Sequence, residues 1–350
     1  MIQPIKVLVV DDSAFMRMTL ARRLGADPGI QIVGLAADGN EAVAQVQALH
    51  PDVVTMDVEM PGLDGLDALA RIMAMLPTPV VMVSSLTSEG AETTVRALTL
   101  GAVDFVTKPS QIAGIQQVVE QLAVKIRQAA ATSVRPIGAG GPGIDKKAYR
   151  KTAKGALAST DRVLIIGSST GGPGALRRLL ADLPPDLNSA GVIVQHMPRG
   201  FTRSLASRLD EGSAWSVREA APGDSLTRDQ FLVAPGGYHL TFGRRGEVIL
   251  TEDPPVNNVR PAVDVTMESL AHAFPSRLLG VVLTGMGHDG TQGALAIRRA
   301  GGRVVVEDQS TCVVYGMPRS VVEAGAADCV APLPEIPALV TRLLKEPCCE

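Results

Sequence analysis

Four short apolar runs near the start of the chain each end on a polar group. Ile5-Lys6-Val7-Leu8-Val9-Val10 runs into Asp11-Asp12, and Val53-Val54-Thr55-Met56 into Asp57. Val80-Val81-Met82-Val83 runs into Ser84-Ser85, and Asp104-Phe105-Val106-Thr107 into Lys108-Pro109. Nearly continuous apolar runs of this length read as strands buried on both faces. Helical spacing lies between and after them: Met16, Leu20 and Leu24 on one face, then Ile115, Val119, Leu122 and Ile126 on a last helix. Strand–helix alternation predicts a parallel, doubly wound sheet, and such sheets bind ligands at the carboxyl ends of their strands. The polar groups all fall at those ends.

Their chemistry is specific. Asp11, Asp12 and Asp57 at neighbouring strand ends repel one another unless a hard, oxygen-seeking cation joins them, and Mg²⁺ fits that demand. Ser84 adds a hydroxyl and Lys108 a positive charge suited to phosphate oxygens. Ordinary turn chemistry, with Asp capping a helix after a strand, accounts for one Asp pair but not for four strand ends. Through residue 127 the chain resembles the flavodoxin-like receiver domain of two-component response regulators. The resemblance implies that Asp57 accepts a phosphoryl group from a sensor histidine kinase. It also implies that Asp11, Asp12, Asp57 and the Glu59 carbonyl hold Mg²⁺, that Ser84 shifts toward the phosphate, and that Lys108 pairs with it.

Charge divides the rest of the chain. The net charge of −3 over 350 residues conceals a block, residues 128–160, with six basic and one acidic side chain, five Gly and two Pro. It has too few large apolar residues for a core and reads as a flexible basic linker, solvated rather than bound to RNA or membrane. Three segments follow: a receiver over 1–127, the linker over 128–160 and a second domain over 161–350. That last segment is net −3, with 18 basic and 21 acidic residues. It lacks the basic footprint of a DNA-binding output. No charged-then-apolar leader precedes Pro4 and no 18-residue apolar run occurs, so the chain reads as cytoplasmic with no membrane insertion. The four Cys show no metal spacing, and Cys348-Cys349 read as an exposed tail pair.

The second domain opens with a strand, Arg162-Val163-Leu164-Ile165-Ile166, then Gly167-Ser168-Ser169-Thr170-Gly171-Gly172 and a helix. Two chemistries suit a strand, a glycine turn and a helix. Phosphate binding at the helix N-terminus lacks the Lys-Ser/Thr of a P-loop and the G-x-G-x-x-G spacing. The alternative is a G-x-S-x-G turn that lifts Ser169 above the sheet as a nucleophile. Such a serine needs a base. Of five His, His196 ends the strand Gly191-Val192-Ile193-Val194 that should neighbour the serine strand. His239 falls in a hairpin expected between Phe231–Ala234 and Tyr238–Phe242, and His272 reads as a helix-surface residue. An orienting carboxylate comes from Asp289 in Gly285-Met286-Gly287-His288-Asp289-Gly290, which follows a further strand; helix capping is its plainer reading. Three rim motifs supplying Ser, His and Asp favour a triad. Oxyanion donors would be the amides of Met286 and Gly287, or those just after Ser169. Pro255-Val256-Asn257-Asn258-Val259-Arg260-Pro261 lines a contact or simply crosses over to the next helix. A non-enzymatic scaffold has no need of Ser169, His196 and Asp289 together.

The ensemble resembles the chemotaxis protein-glutamate methylesterase/protein-glutamine glutaminase family. The resemblance rests on the receiver together with G-S-S-T-G-G, Q-H-M-P-R-G-F-T-R-S, A-P-G-G-Y-H, P-P-V-N-N-V-R-P-A-V-D, L-T-G-M-G-H-D-G and C-V-V-Y-G-M-P-R. It implies a Rossmann-like, parallel-sheet α/β catalytic domain with a β-hairpin, in which Ser169 is the nucleophile, His196 the base and Asp289 its partner. The implied substrates are γ-glutamyl methyl esters and selected glutamines on chemoreceptor cytoplasmic domains, hydrolysed without a cofactor. It further implies that the unphosphorylated receiver covers the Ser169 rim.

Overall fold

The computed structural model describes residues 3–85, 87–109, 114–132, 155, 157–158, 161–185, 187–243 and 246–346. The chain forms two compact units, divided inside the basic segment.

The first unit alternates strand and helix throughout: β1 (Ile5–Val10), α1 (Ala14–Leu24), β2 (Ile30–Ala36), α2 (Gly39–Leu49), β3 (Val53–Asp57), α3 (Gly65–Met75), β4 (Val80–Ser84), α4 (Ser88–Leu100), β5 (Asp104–Thr107) and α5 (Ile115–Ala130). All five strands are parallel, in the order β2-β1-β3-β4-β5. Side chains start the helices by taking up N–H groups that have no partner within the helix. Asp38 accepts from Asn40 and Glu41, Asp64 from Asp67, and Thr87 from Gly90.

Of the segment expected to be flexible from 128 to 160, residues 128–132, 155 and 157–158 are described. Helix α5 runs three residues further than expected because its apolar face continues through Ile126 to Ala129, both buried. At the other end, Leu157 packs against the core of the second unit. The Gly155 carbonyl accepts the Arg228 N–H at 3.2 Å, and the Ala158 carbonyl accepts Arg277 Nη2 at 2.7 Å. The middle of the linker and the Cys348-Cys349 tail lie outside the described residues.

The second unit comprises β6 (Arg162–Ser168), α6 (Gly172–Asp182), β7 (Ser189–Gln195), α7 (Phe201–Gly212), β8 (Ser216–Glu219), β9 (Gln230–Val233), β10 (His239–Phe242), β11 (Val248–Thr251), α8 (Val263–Ala273), β12 (Leu278–Val282), α9 (Thr291–Arg299), β13 (Arg303–Glu307), α10 (Met317–Glu323), β14 (Cys329–Ala331) and α11 (Ile336–Lys345). Seven strands form one parallel sheet, β14-β13-β12-β6-β7-β9-β8, with β10 and β11 as a separate antiparallel pair. The expected hairpin is therefore corrected. The run at Phe231 is not its first strand. It is buried on both faces within β9, as a parallel strand must be, and the hairpin joins β10 to β11.

From β6 the chain moves one way to β7 and its neighbours, then returns to lay β12 on the other side. That reversal opens a crevice at the carboxyl end of β6. Among the described residues, no helix is long and apolar enough to cross a membrane.

Candidate active site and phosphoacceptor site

In the first unit the polar groups at the ends of β1, β3 and β5 come together. Asp11 and Asp57 are buried and Asp12 is exposed, with one carboxylate oxygen from each within 4.8 Å of the others. Lys108 Nζ lies 2.6 Å from Asp57 Oδ2 and 3.2 Å from Asp11 Oδ2. The second contact pairs charges without hydrogen-bond alignment, and Asp11 Oδ2 is a buried oxygen with no hydrogen-bond partner. Burial pushes the Asp57 carboxyl up to about 6 against the opposing pull of Lys108, and the Asp11 charge adds to the rise. Crowded hard oxygens, one of them without a donor, fit a divalent cation such as Mg²⁺. Ser84 is placed differently from Lys108. Its hydroxyl lies 3.2 Å from the Gly90 carbonyl and accepts from Thr94 Oγ1 at 2.6 Å, so it is engaged with the first turns of α4. Glu59 donates its N–H to Asp57 Oδ1 at 3.3 Å, and its side chain accepts from Ser85.

In the second unit Ser169 is the first residue beyond β6 and His196 the first beyond β7. Ser168 pairs with Gln195 in register, so the two residues leave adjacent strands at one height. The His196 N–H donates to the Ser168 carbonyl at 3.2 Å, tying these ends together. Gln195 clamps the turn from beneath: Ser168 Oγ donates to its Oε1 at 2.7 Å, and its Nε2 donates to the Ser169 carbonyl at 2.9 Å. Gly171, at φ +78°, turns the backbone into α6, where a side chain would strike Val313.

Asp289 comes from the loop after β12, on the other flank of β6. Its Oδ2 is 2.8 Å from His196 Nε2 and also accepts the Val263 N–H at 2.6 Å. Its Oδ1 accepts the Asp264 N–H at 3.1 Å and Asn257 Nδ2 at 2.9 Å. Burial raises the Asp289 carboxyl, but His196 and the N–H groups of Val263 and Asp264 outweigh it and hold the group below its ordinary value. It is therefore a carboxylate at neutral pH, able to stabilise an imidazolium.

Asn257 and Asp264 are the site residues that sequence reasoning missed. Val256-Asn257-Asn258-Val259 closes a two-residue turn, with hydrogen bonds of 3.2 and 3.0 Å between the Val residues and φ of +53° and +62° at the two Asn. That turn carries the Asn257 amide to two acids at once, Asp289 Oδ1 and Asp264 Oδ2, each at 2.9 Å. Asp264 also accepts the Gly293 N–H at 2.8 Å. Burial pushes the Asp264 carboxyl up; the Gly293 N–H opposes the rise and the Asp289 charge adds to it. An Asn-Asn pair between two valines was the available signal, since Asn tolerates positive φ.

The rim closes with Thr284 and Gly285. The Thr284 carbonyl accepts the Ser169 N–H at 3.0 Å, and the Gly285 N–H donates to Val314 at 3.0 Å. A Cβ on Gly285 would stand 2.8 Å from the Ser169 Cβ, so only glycine fits beside the serine. Met286 is half exposed, and Gly287 has φ +85° with open space where a side chain would stand. His239 is a buried structural residue, its Nε2 donating to the Pro254 carbonyl at 3.1 Å, while His272 and His288 are exposed.

A receiver sheet followed by a second, independently cored parallel sheet with a polar rim defines a response regulator whose output is an α/β enzyme domain. The response regulator receiver domain family matches residues 7–120, and the CheB methylesterase family matches residues 164–340. The chain is 52% identical, over 98% of each protein, to the protein-glutamate methylesterase/protein-glutamine glutaminase of Symbiobacterium thermophilum. It is 46% identical to the like-named protein of Thermotoga maritima, over 97% of this chain and 98% of that one. The crystal structure of the Thermotoga maritima CheB methylesterase catalytic domain aligns with a TM-score of 0.50 and 45% identity, over 52% of this chain and 98% of that one. The chain belongs to the CheB methylesterase family.

Proposed function

We propose that Ser169, His196 and Asp289 hydrolyse γ-glutamyl methyl esters, and selected glutamine amides, on chemoreceptor cytoplasmic domains, and that phosphorylation of Asp57 controls them. The enzyme class is that of the family, protein-glutamate methylesterase and protein-glutamine glutaminase. The observation that carries the residue assignment is the 2.8 Å pair of His196 Nε2 with Asp289, beside the glycine turn that presents Ser169. Because Nε2 faces the carboxylate, Nδ1 is the ring nitrogen that takes the Ser169 proton. Ser169 Oγ attacks the ester carbonyl, the imidazolium returns its proton to departing methanol or ammonia, and water then opens the acyl-enzyme. Asp289 stays ionised and holds the ring. The Met286 and Gly287 amides are the proposed oxyanion donors.

In the receiver, Asp57 takes the phosphoryl group from a histidine kinase. Lys108, already paired with Asp57, moves to the phosphoryl oxygens, and Ser84 leaves Gly90 to join them. Mg²⁺, when held by Asp11, Asp12, Asp57 and the Glu59 carbonyl, would neutralise charge on the transferring group. We place the protein in the cytoplasm, where chemoreceptor signalling domains and kinases lie.

The test is methanol release from methylated receptor membranes. Ser169→Ala should lower the rate by on the order of 10⁴–10⁶ with the fold intact. His196→Ala should act alike, and the double variant should be little worse than either alone. A Ser169→Ala protein retaining a tenth of the activity would remove Ser169 as nucleophile.

A further inference from the structure

Glu307 is a fully buried acid that the ester chemistry does not use. It ends β13, next to the strand that leads into the oxyanion turn. The groups facing it are the Thr284 N–H, the Thr311 hydroxyl, the Cys312 thiol and the Asp308 carboxylate. Its Oε2 accepts the Thr284 N–H at 2.8 Å and its Oε1 accepts the Thr311 hydroxyl at 3.0 Å. Thr311 is itself pinned, accepting the Leu333 N–H at 2.9 Å.

Thr284 is the hub of the nucleophile turn. Its carbonyl accepts the Ser169 N–H, its hydroxyl donates to the Thr170 carbonyl at 3.0 Å, and its Oγ1 accepts the Val314 N–H at 2.9 Å. Strand β12 has ended by this point, so the sheet ladder supplies no acceptor for the Thr284 N–H. The Glu307 side chain supplies one from the neighbouring strand. We propose that Glu307 is a positioning residue for Ser169, acting through Thr284: it satisfies the Thr284 amide and thereby fixes the Ser169 N–H and the Thr170 carbonyl, one before and one after the nucleophile. The inference rests on the reading of Ser169 as nucleophile.

The turn requires an acceptor, not a charge. Burial pushes Glu307 up to about 7 against the lowering hydrogen bonds of Thr284, Thr311 and Cys312, so both protonation states are populated near neutrality. Thr311 serves either state. It donates to the carboxylate, or it accepts from the acid while its own hydrogen turns to the Asp308 carbonyl, 3.4 Å away. Glutamine reproduces the acid form: its carbonyl accepts from Thr284 and its amide donates to Thr311.

The experiment is steady-state methanol release by the full-length protein, with Ser169→Ala as control. Loss of a buried acceptor from a backbone donor predicts that Glu307→Ala lowers kcat by roughly 10-fold or more, with KM within about twofold. Glu307→Gln should keep kcat within about threefold of wild type and preserve its pH profile. Thr311→Val, which frees the acid to swing from Thr284, should lower kcat by a few fold at constant KM. It covers the case in which Glu307→Ala does not fold. Wild-type kcat in Glu307→Ala or in Thr311→Val overturns the proposal. So does a Glu307→Gln protein as impaired as Glu307→Ala, because charge would then be what matters. An active Ser169→Ala protein would instead strike the reading of the nucleophile itself.

Discussion

Replacing Asn257 by Ala removes one amide and two hydrogen bonds to acids. Asp289 keeps three of its four donors: His196, the Val263 N–H and the Asp264 N–H. One lost hydrogen bond to a charged group costs about 1.5–3 kcal/mol. A second effect adds to it. Asp289 Oδ1 and Asp264 Oδ2 each lie 2.9 Å from one nitrogen, whose hydrogens diverge by about 120°, which sets the oxygens about 5 Å apart. Two full charges at that distance repel by roughly 3 kcal/mol at an effective dielectric near 20, and by less in proportion as Asp264 holds a proton. The three surviving donors keep the total near the lower end, so kcat should fall about 10-fold to 100-fold. Asp264→Asn supplies the decisive comparison. In the Asn257→Ala background it removes the repulsion, so it should restore part of the activity. Alone, it places two amides face to face and should gain nothing. Methanol release by the four proteins of the cycle measures the coupling. Unchanged kcat in Asn257→Ala, or an Asp264→Asn change that deepens its loss additively, would refute the bridging role.

Asp57→Asn should abolish phosphoryl uptake from a labelled small-molecule phosphodonor, since an amide forms no acyl phosphate; labelling at the wild-type rate would point to another acceptor. A chain beginning at Gly155, which keeps the contacts of Gly155, Leu157 and Ala158 with the second unit, should release methanol faster than the unphosphorylated full-length protein and ignore phosphodonor. A slower truncated chain would mean that the receiver helps build the site. Glu307 binds its proton more tightly folded, at about 7, than at its ordinary 4.5, so its stabilising contribution is complete below about pH 4.5 and is lost as pH rises through 7. Between pH 6 and 8 wild type should lose unfolding free energy relative to Glu307→Gln, on the order of 1 kcal/mol, measured by denaturant titration of the second unit. Equal pH slopes would contradict the raised value.

Much of this is legible in the sequence. Parallel strands place their carboxyl ends on one rim, so Asp11, Asp57, Lys108, Ser169 and His196 could be gathered by reading where apolar runs stop. The hairpin partner is not legible, because the run at Phe231 carries no mark that separates an antiparallel strand from a buried parallel one. Asn257 and Asp264 escaped because their meaning lies in a left-handed turn and a helix start that meet Asp289 only in space. Glu307 reads as an ordinary polar strand end; its burial comes from β12, β14 and the 308–316 loop, which no local pattern reveals. Ser84 shows the limit from the other side: it stands at the end of β4, where the apolar run stops, but the direction of its hydroxyl depends on Gly90 and Thr94.

The central place of β6 in the second sheet also fixes an order of events during synthesis. Thr284, which holds the turn at Thr170, lies 114 residues further along the chain, and Asp289 lies 93 beyond His196. At about 5–20 residues per second the ribosome takes roughly 6–23 seconds to make the span from Thr170 to Thr284. Throughout that interval Ser169 has neither its brace at Thr284 nor, across the rim, the Asp289 carboxylate that pairs with His196. The receiver has by then been complete for longer still, because its last helix ends at Ala130. On each nascent chain the regulator is finished before the activity it governs exists.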